Sequence, residues 1–377
     1  MIEQVQFKNF KALRDVTLGL SPFTLIVGPN ASGKTSILEG IHSVTQLASK
    51  APKEVFRGLH DPSQLRSSGA AGEMVLSLGG KWAENHAHLR ISVSDLPDGK
   101  FGYSLNVNSP DFTIEGSPLG FVYGGFVSLP APVREAVGSA LLLHLDPRRL
   151  GEASYSVAPV PRVEFNGGNL AATLADLALT SPTEFQEVCA RVRAVVPSVR
   201  NIGFDRVPID KTEYVGSDQA PGFYEQVRAK YVGYRIKLDC AGAEGVPGHA
   251  LSEGTLITLG LITLLSSQPV PQLVMIDELE RGLHPKALGT LVKQLRSIQG
   301  RFPQTQLIGT THSPYLVDDF DAGEVVLTAV REDGSVVAGT LNEHPEFERW
   351  KDEMKPGEFW STVGEDWLRE RKEPAGG

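Results

Sequence analysis

Residues 26–37 read IVGPNASGKTSI, an apolar run that ends on two glycines, a lysine and a threonine. Gly28 and Gly33 bracket the spacing G-x-x-x-x-G-K-T, and glycine there lets backbone N–H groups turn inward as an anion nest. Lys34 then offers a point charge to the β- and γ-phosphates of ATP, and the Thr35 hydroxyl offers a ligand to Mg²⁺. Asn30, Ala31, Ser32 and Ser36 complete the loop around the same phosphates. A second constellation lies in QLVMIDELERGLHP, residues 272–285, where four apolar residues run straight into two carboxylates. Asp277 is placed to hold Mg²⁺ through its water shell, and Glu278 to orient or deprotonate the water that attacks a γ-phosphate. His312 closes a third apolar run in LIGTTHSPYLVD, residues 307–318, where an imidazole can reach the same phosphate. Ser252 and Gly254, in GHALSEGTLITLGLITLL at residues 248–265, stand at the start of an apolar helix whose free N–H groups face an anion.

Each of these has a structural alternative. Asp277 and Glu278 could merely cap the next turn, His312 could be a hydrogen-bonder beside a proline turn, and Ser252 could be an ordinary N-cap. The complete phosphate loop favours the catalytic reading of the acids. His312 rests on its place one strand beyond them. Read alone, Ser252 is better explained as a cap.

The elements that must position these residues follow from patterning. Phe23–Val27 reads as a buried strand feeding the loop, and 36–47 as the helix after it. QLVMI and QTQLIGT read as further buried strands, separated by a helix over about 285–299 whose proline suits a first turn. Ile2, Val5 and Phe7 fall near strand spacing. From about 73 to 127, EMVLSLGG, AHLRISVS, FGYSLNV and GFVYGGFV alternate with turn residues as an antiparallel meander. Residues 168–196 read as two helices, with Asn169 and then Ser181 as caps and Glu184 closing a capping box. VRNIGFDRV and YVGYRIKLD read as strands, and CAGAEGVPGHA as a flexible glycine-rich loop. No internal repeat and no sustained heptads occur.

With 377 residues, 41% of them hydrophobic, the chain can bury a real core. Its net charge of −9, from 36 basic and 45 acidic residues, argues against a broadly basic nucleic-acid surface and leaves only local DNA contacts. Arg191, Arg193 and Arg200 form one such modest cluster, with a solvated helix face as the alternative. Cys189 and Cys240 lack C-x-x-C spacing, so neither a disulfide framework nor a zinc site is expected. The absence of a long apolar run predicts no membrane span and a cytoplasmic protein.

In order along the chain, FKNFKAL, GPNASGKTSILEGI, LSEGTL, MIDELERGLHP and TTHSPYLVD resemble the ABC-type ATPases of the SMC, RecF and OLD group. The resemblance implies an α/β P-loop NTPase, an ABC-ATPase-like head with an antiparallel β subdomain and a mixed helical insertion. It divides the chain into 1–50 (Walker A), 51–130 (β subdomain), 131–245 (insertion), 246–345 (signature, Walker B and switch histidine) and a tryptophan-rich tail, 346–377. It implies that Lys34 and Thr35 bind phosphates and Mg²⁺, Asp277 the Mg²⁺ shell, Glu278 the water and His312 the γ-phosphate. Ser252 and Gly254 would reach the ATP of a second copy, making an ATP-dependent homodimer.

Three departures matter. Leu-Ser-Glu-Gly-Thr stands where transporters favour Leu-Ser-Gly-Gly-Gln, so Glu253 would weaken a trans phosphate cage unless it points away. No glutamine occurs between Gln64 and Gln186, so the family's Q-loop glutamine cannot be placed. About sixty residues follow His312, too few for the Toprim nuclease domain typical of OLD enzymes. Arg66, in SQLRSSGAAGEMVLSL, resembles the group's arginine-bearing loop and offers a nucleotide or DNA contact, a surface arginine being the alternative. Trp360, Val363 and Trp367 fall on one face of a helix that packs on the core or docks an effector. The resulting expectation is a Mg²⁺-dependent ATPase that gates a separately encoded effector, in phage defence or DNA repair. An ATP-stabilised scaffold and a transporter subunit are the alternatives, the latter disfavoured by the departures.

Overall fold

The computed structural model describes residues 1–82, 85–96, 100–109, 112–118, 131–216 and 224–371. The chain divides into two units: Met1–Leu142 with Pro271–Glu280 and Gln299–Gly377, and Leu143–Val270 with Arg281–Ile298.

The first unit is built on two sheets. One runs in the order Val336–Thr340, Val325–Val330, Phe23–Val27, Gln306–Thr311, Leu273–Ile276, Leu141–Leu143. Phe23–Val27 is parallel to both Gln306–Thr311 and Val325–Val330, and Leu273–Ile276 is parallel to Gln306–Thr311. Strands covered on both faces need apolar residues throughout, which is why FTLIV and LVMI run without alternation and are buried at every position. The second sheet is antiparallel, in the order Leu13–Gly19, Ile2–Phe10, Met74–Trp82, Asn85–Asp95, Phe101–Ser109, Phe112–Pro118. Its first strand buries Ile2, Val5, Phe7 and Phe10, and a register shift between Ile2 and Gln4 accounts for the three-residue step from Ile2 to Val5. The Lys34–Gln46 helix packs Ile37, Leu38, Ile41 and Val44 into the same core, one apolar stripe at helical spacing. The part of the expected meander at GFVYGGFV lies outside the described residues.

The second unit holds the Leu170–Thr180, Pro182–Val195 and Glu253–Ser266 helices, most of Pro285–Arg301, and a three-stranded sheet. Glu253–Ser266 is buried at twelve consecutive positions, from Gly254 to Leu265, so it is a central helix rather than an amphipathic one. The strands Val199–Gly216 and Tyr224–Cys240 pair along their whole length, far longer than the two short strand readings of the sequence. CAGAEGVPGHA is not a loop throughout: Ala243–Pro247 pairs with Tyr224–Cys240 as a third strand. Pro182 opens its helix as expected, yet Ser181 makes no side-chain cap hydrogen bond, so the capping box does not form. Asn169 precedes its helix in a left-handed conformation and its amide donates to the Arg162 carbonyl instead of capping.

The tryptophan-rich tail, part of the first unit, is not one helix. Pro356–Val363 ends at Gly364, whose φ of 70° breaks the chain before Asp366–Glu370. Trp360 is buried and Trp367 half-buried, and the Gly357 N–H donates to Asp318 at 2.9 Å, which docks the tail just beyond His312. Both cysteines are free. Among the described residues no helix is long and apolar enough to cross a membrane.

Candidate functional site

Three parallel strands deliver the predicted residues to one edge of the first unit's sheet: Phe23–Val27 the loop, Leu273–Ile276 the acids and Gln306–Thr311 the histidine. The loop glycines are dictated by packing as well as by conformation. A Cβ on Gly28 would lie 2.4 Å from the Thr328 hydroxyl and 2.5 Å from its carbonyl oxygen. Gly33 sits at φ 90°, and a Cβ there would meet Val336 at 2.8 Å. Ser32 is fully buried with its hydroxyl 2.6 Å from that of Thr328, which itself donates to the Val27 carbonyl at 3.0 Å. The Ser32 side chain therefore braces the loop on the neighbouring strand. Asn30, Ala31 and Thr35 are exposed at its mouth, and Ser36 is half-buried in the first turn.

Lys34 donates from Nζ to the Gly28 and Pro29 carbonyls at 2.8 Å each. Burial pushes its pKa below the usual lysine value, opposed in decreasing order by the charges of Asp277, Glu280, Glu278 and Glu365. Four carboxylates thus lie within electrostatic reach of one ammonium.

The decisive contact joins two distant parts of the chain. The Thr35 hydroxyl donates to Asp277 Oδ2 at 2.9 Å across 242 positions of sequence. The other carboxylate oxygen, Oδ1, accepts from the Thr310 hydroxyl at 2.5 Å, and that hydroxyl oxygen accepts from the Glu278 N–H at 2.9 Å. Glu278 is held in a left-handed conformation, φ 54°, uncommon for a side chain of its size and frequent at functional sites. At His312, both the backbone N–H (2.9 Å) and Nδ1 (3.0 Å) meet Glu280 Oε1.

Sequence reasoning missed Thr310, Thr328, Glu280 and Glu365. Thr310 and Glu280 stood inside motifs already quoted, TTHS and DELE. Thr328 and Glu365 had no signal: Thr328 reaches the loop because its strand lies beside Phe23–Val27, and Glu365 acts on Lys34 from the tail.

Ser252 and Gly254 belong to the second unit. Ser252 caps the Glu253–Ser266 helix, its Oγ accepting from the Thr255 N–H at 3.3 Å and lying 2.7 Å from Thr255 Oγ1. Gly254 has no room for a Cβ, which would fall 2.2 Å from the Gly282 carbonyl. Glu253, the departure in the motif, is paired with Arg281 at 2.7 Å. A cavity of about 420 Å³ opens beside this turn, lined by Ser252, Gly254, Gly282, His284 and Lys286 among others.

Two family models match: residues 1–70 fit "AAA ATPase domain" and residues 146–318 fit "AAA domain, putative AbiEii toxin, Type IV TA system". The chain is 52% identical over 44 residues to an OLD nuclease of Thermus scotoductus, covering 12% of this chain and 8% of that one. It is 24% identical over 349 residues to Septu protein PtuA of Bacillus mycoides, 88% of this chain and 41% of the relative. Together these matches support an SMC/RecF/OLD-type ATPase.

The solved structures agree on the fold. An Smc head bound to the C-winged helix domain of ScpA superposes with a TM-score of 0.56 at 16% identity, covering 91% of this chain and 99% of that one. An Smc head with an extended coiled coil, bound to the C-terminal domain of ScpA derived from Pyrococcus furiosus, gives 0.51 at 14% identity, with 93% and 99% covered. The fold is that of an ABC-like P-loop ATPase. The chain spans less than half the length of the curated relatives it matches.

The donor set at this site fits a hard cation. A hydroxyl and a carboxylate, Thr35 and Asp277, meet at the loop, and a Mg²⁺ held by them would take its remaining ligands from phosphate and water rather than from a protein cage. Among the described residues no cluster of three His, Cys, Asp or Glu that could hold a metal ion occurs.

The two arginine proposals fare differently from the acids. Arg66 spends its guanidinium on Asp95 (2.6 Å) and the Val93 carbonyl (3.4 Å), inside the antiparallel sheet. Arg191 donates to Gln294 and Ser297, and Arg193 to the Arg200 carbonyl. These arginines are tied to neighbouring elements.

Proposed function

We propose that this ATPase hydrolyses ATP with Mg²⁺, closes as a homodimer around the nucleotide, and so drives or gates a separately encoded effector. The observation that carries the reading is the Thr35–Asp277 hydrogen bond, which puts the phosphate loop and the acidic strand end in one place. Thr35 and Asp277 would hold Mg²⁺, which supplies Lewis-acid charge to the phosphates. Lys34 adds its positive charge at the β- and γ-phosphates. Glu278 accepts a proton as the water oxygen bonds to phosphorus, and the γ-phosphoryl bond to the ADP oxygen breaks. His312 hydrogen-bonds the γ-phosphoryl oxygens. Thr310 keeps Asp277 and the Glu278 backbone in register for this step.

Dimer closure is supported by the Ser252-capped helix start, an anion-attracting N-terminus with Glu253 neutralised by Arg281. The effector reading, and a setting in phage defence or DNA repair, come from the likeness to the SMC/RecF/OLD group and to relatives named OLD nuclease and Septu protein PtuA.

The test is Glu278→Gln. Phosphate release should fall at least about 100-fold while the affinity for ATP stays within about threefold, and the variant should elute as an ATP-dependent dimer. Release at the native rate would remove Glu278 from the chemistry. A native chain that binds ATP without turnover would make the nucleotide a structural ligand.

A further inference from the structure

Glu280 is the carboxylate of the DELE sequence to which neither the loop nor the acids assign a task. Its side chain is 12% exposed, whereas the His312 side chain it touches is 57% exposed. Oε1 accepts from the His312 backbone N–H at 2.9 Å and lies 3.0 Å from Nδ1. Oε2 is buried and has no hydrogen-bond partner among the described residues. A carboxylate oxygen buried without a partner costs stability, so its placement needs a reason. Burying the acid and leaving the imidazole exposed is the arrangement of a buried group that orients an accessible one.

Resting on the hydrolytic reading above, we propose that Glu280 is a positioning residue for His312. An ionised carboxylate only accepts, so the Nδ1 beside it carries the proton, and Nε2 becomes the nitrogen turned away from the acid. The second bond, from the His312 N–H, fixes the backbone through the same oxygen. One acceptor therefore sets both the rotation of the ring and its tautomer. The Gly357 contact to Asp318, six residues beyond His312, anchors the following turn but does not touch the imidazole. Glu280 acts on the γ-phosphoryl group only through the histidine.

The experiment combines nitrogen NMR of ¹⁵N-histidine-labelled full-length protein with phosphate-release kinetics on Glu280→Ala, Glu280→Gln, His312→Ala and Glu280→Ala/His312→Ala. His312→Ala assigns the resonance. The native protein should show the Nδ1–H form of His312, and Glu280→Ala should lose most of it. Glu280→Gln, whose amide oxygen still accepts, should restore that form with a melting temperature close to native. In kinetics, Glu280→Ala should lower kcat about 30-fold with KM for ATP within about twofold, and should lower it no further in the His312→Ala background. An unchanged Nδ1–H population in Glu280→Ala, or an equal kcat loss with and without His312, would overturn the assignment. Failure of the hydrolytic reading is separate: a native chain that releases no phosphate leaves the NMR result to decide the role of Glu280.

Discussion

The phosphate-loop edge of the first unit and the signature turn of the second bear similar anion-attracting features, but they are finished to different degrees. At the sheet edge, polar groups converge: Thr35 on Asp277, Thr310 on Asp277 and Glu278, and Lys34 among four acids. At the signature turn, the helix start is capped, but its own Glu253 is spent on Arg281 and the side chains beside it line a cavity. One region holds within a single chain the groups proposed for phosphate, metal and water. The other offers a helix N-terminus and a neutralised acid, which on the proposed dimer would be half of a binding surface. On the proposed reading chemistry and assembly are separable, so substitutions in the two regions should leave different signatures.

The largest effect should come from Lys34→Ala. Removing the ammonium strips the charge aimed at the phosphates, and we expect ATP affinity to fall at least about 10-fold and phosphate release about 1,000-fold. Fluorescent-nucleotide titration and a phosphate-release assay read the two. A Lys34→Ala protein with native turnover would break the comparison at its stronger end. Thr310→Val comes next. It takes the hydroxyl from Asp277 Oδ1 and leaves the Glu278 N–H without its acceptor. Turnover should drop about 30-fold with ATP affinity nearly unchanged, because the acids lose register while the loop keeps its grip.

Thr310 also shows how far the sequence could be read. The loop, the strands Phe23–Val27, Leu273–Ile276 and Gln306–Thr311, and the residues Asp277, Glu278 and His312 were legible because unbroken apolar runs ended on chemistry-bearing residues. Thr310 lay inside such a run and looked like strand. Only the parallel register that sets Ile276 against Gly309 shows that its hydroxyl reaches the next strand's acid. Ala243–Pro247 was read as loop because glycines flank it, but pairing along Tyr224–Cys240 outweighs local propensity. The tail's tryptophans had helical spacing, and the left-handed Gly364 overrode it. Ser181 carried a capping-box pattern whose hydrogen bond does not form. Long apolar periodicity survives such tertiary overrides, whereas caps and single polar partners do not.

Arg281→Ala sharpens the comparison at its weaker end. Glu253 would then face the helix start unneutralised, adding negative charge where a phosphate from a second copy is proposed to dock. ATP-dependent dimerisation, read by light scattering in the Glu278→Gln background, should weaken about 5- to 10-fold, and Glu253→Gln added to Arg281→Ala should recover it. ATP binding by the isolated chain should not change. If Arg281→Ala instead lowers monomeric ATP affinity, the two regions are not separable.

The smallest effect, and the finest discrimination, belongs to Ser252. Its Oγ accepts from the Thr255 N–H at 3.3 Å, so Ser252→Ala should cost about 1 kcal/mol through the lost cap, visible as a lower midpoint in urea with an unchanged slope. Asn is as good a cap as Ser, so Ser252→Asn should return the midpoint. What it does to assembly separates the two readings of this serine. A hydroxyl that only caps is replaced by Asn in every respect, and ATP-dependent dimerisation should return with stability. A hydroxyl that also meets a partner's phosphate is not replaced: Asn extends further and carries an amide, so stability should return while dimerisation stays several-fold weak. The dimer proposal predicts the second outcome, because a helix N-terminus that binds an anion across an interface requires the capping group to fit both its own backbone and the ligand.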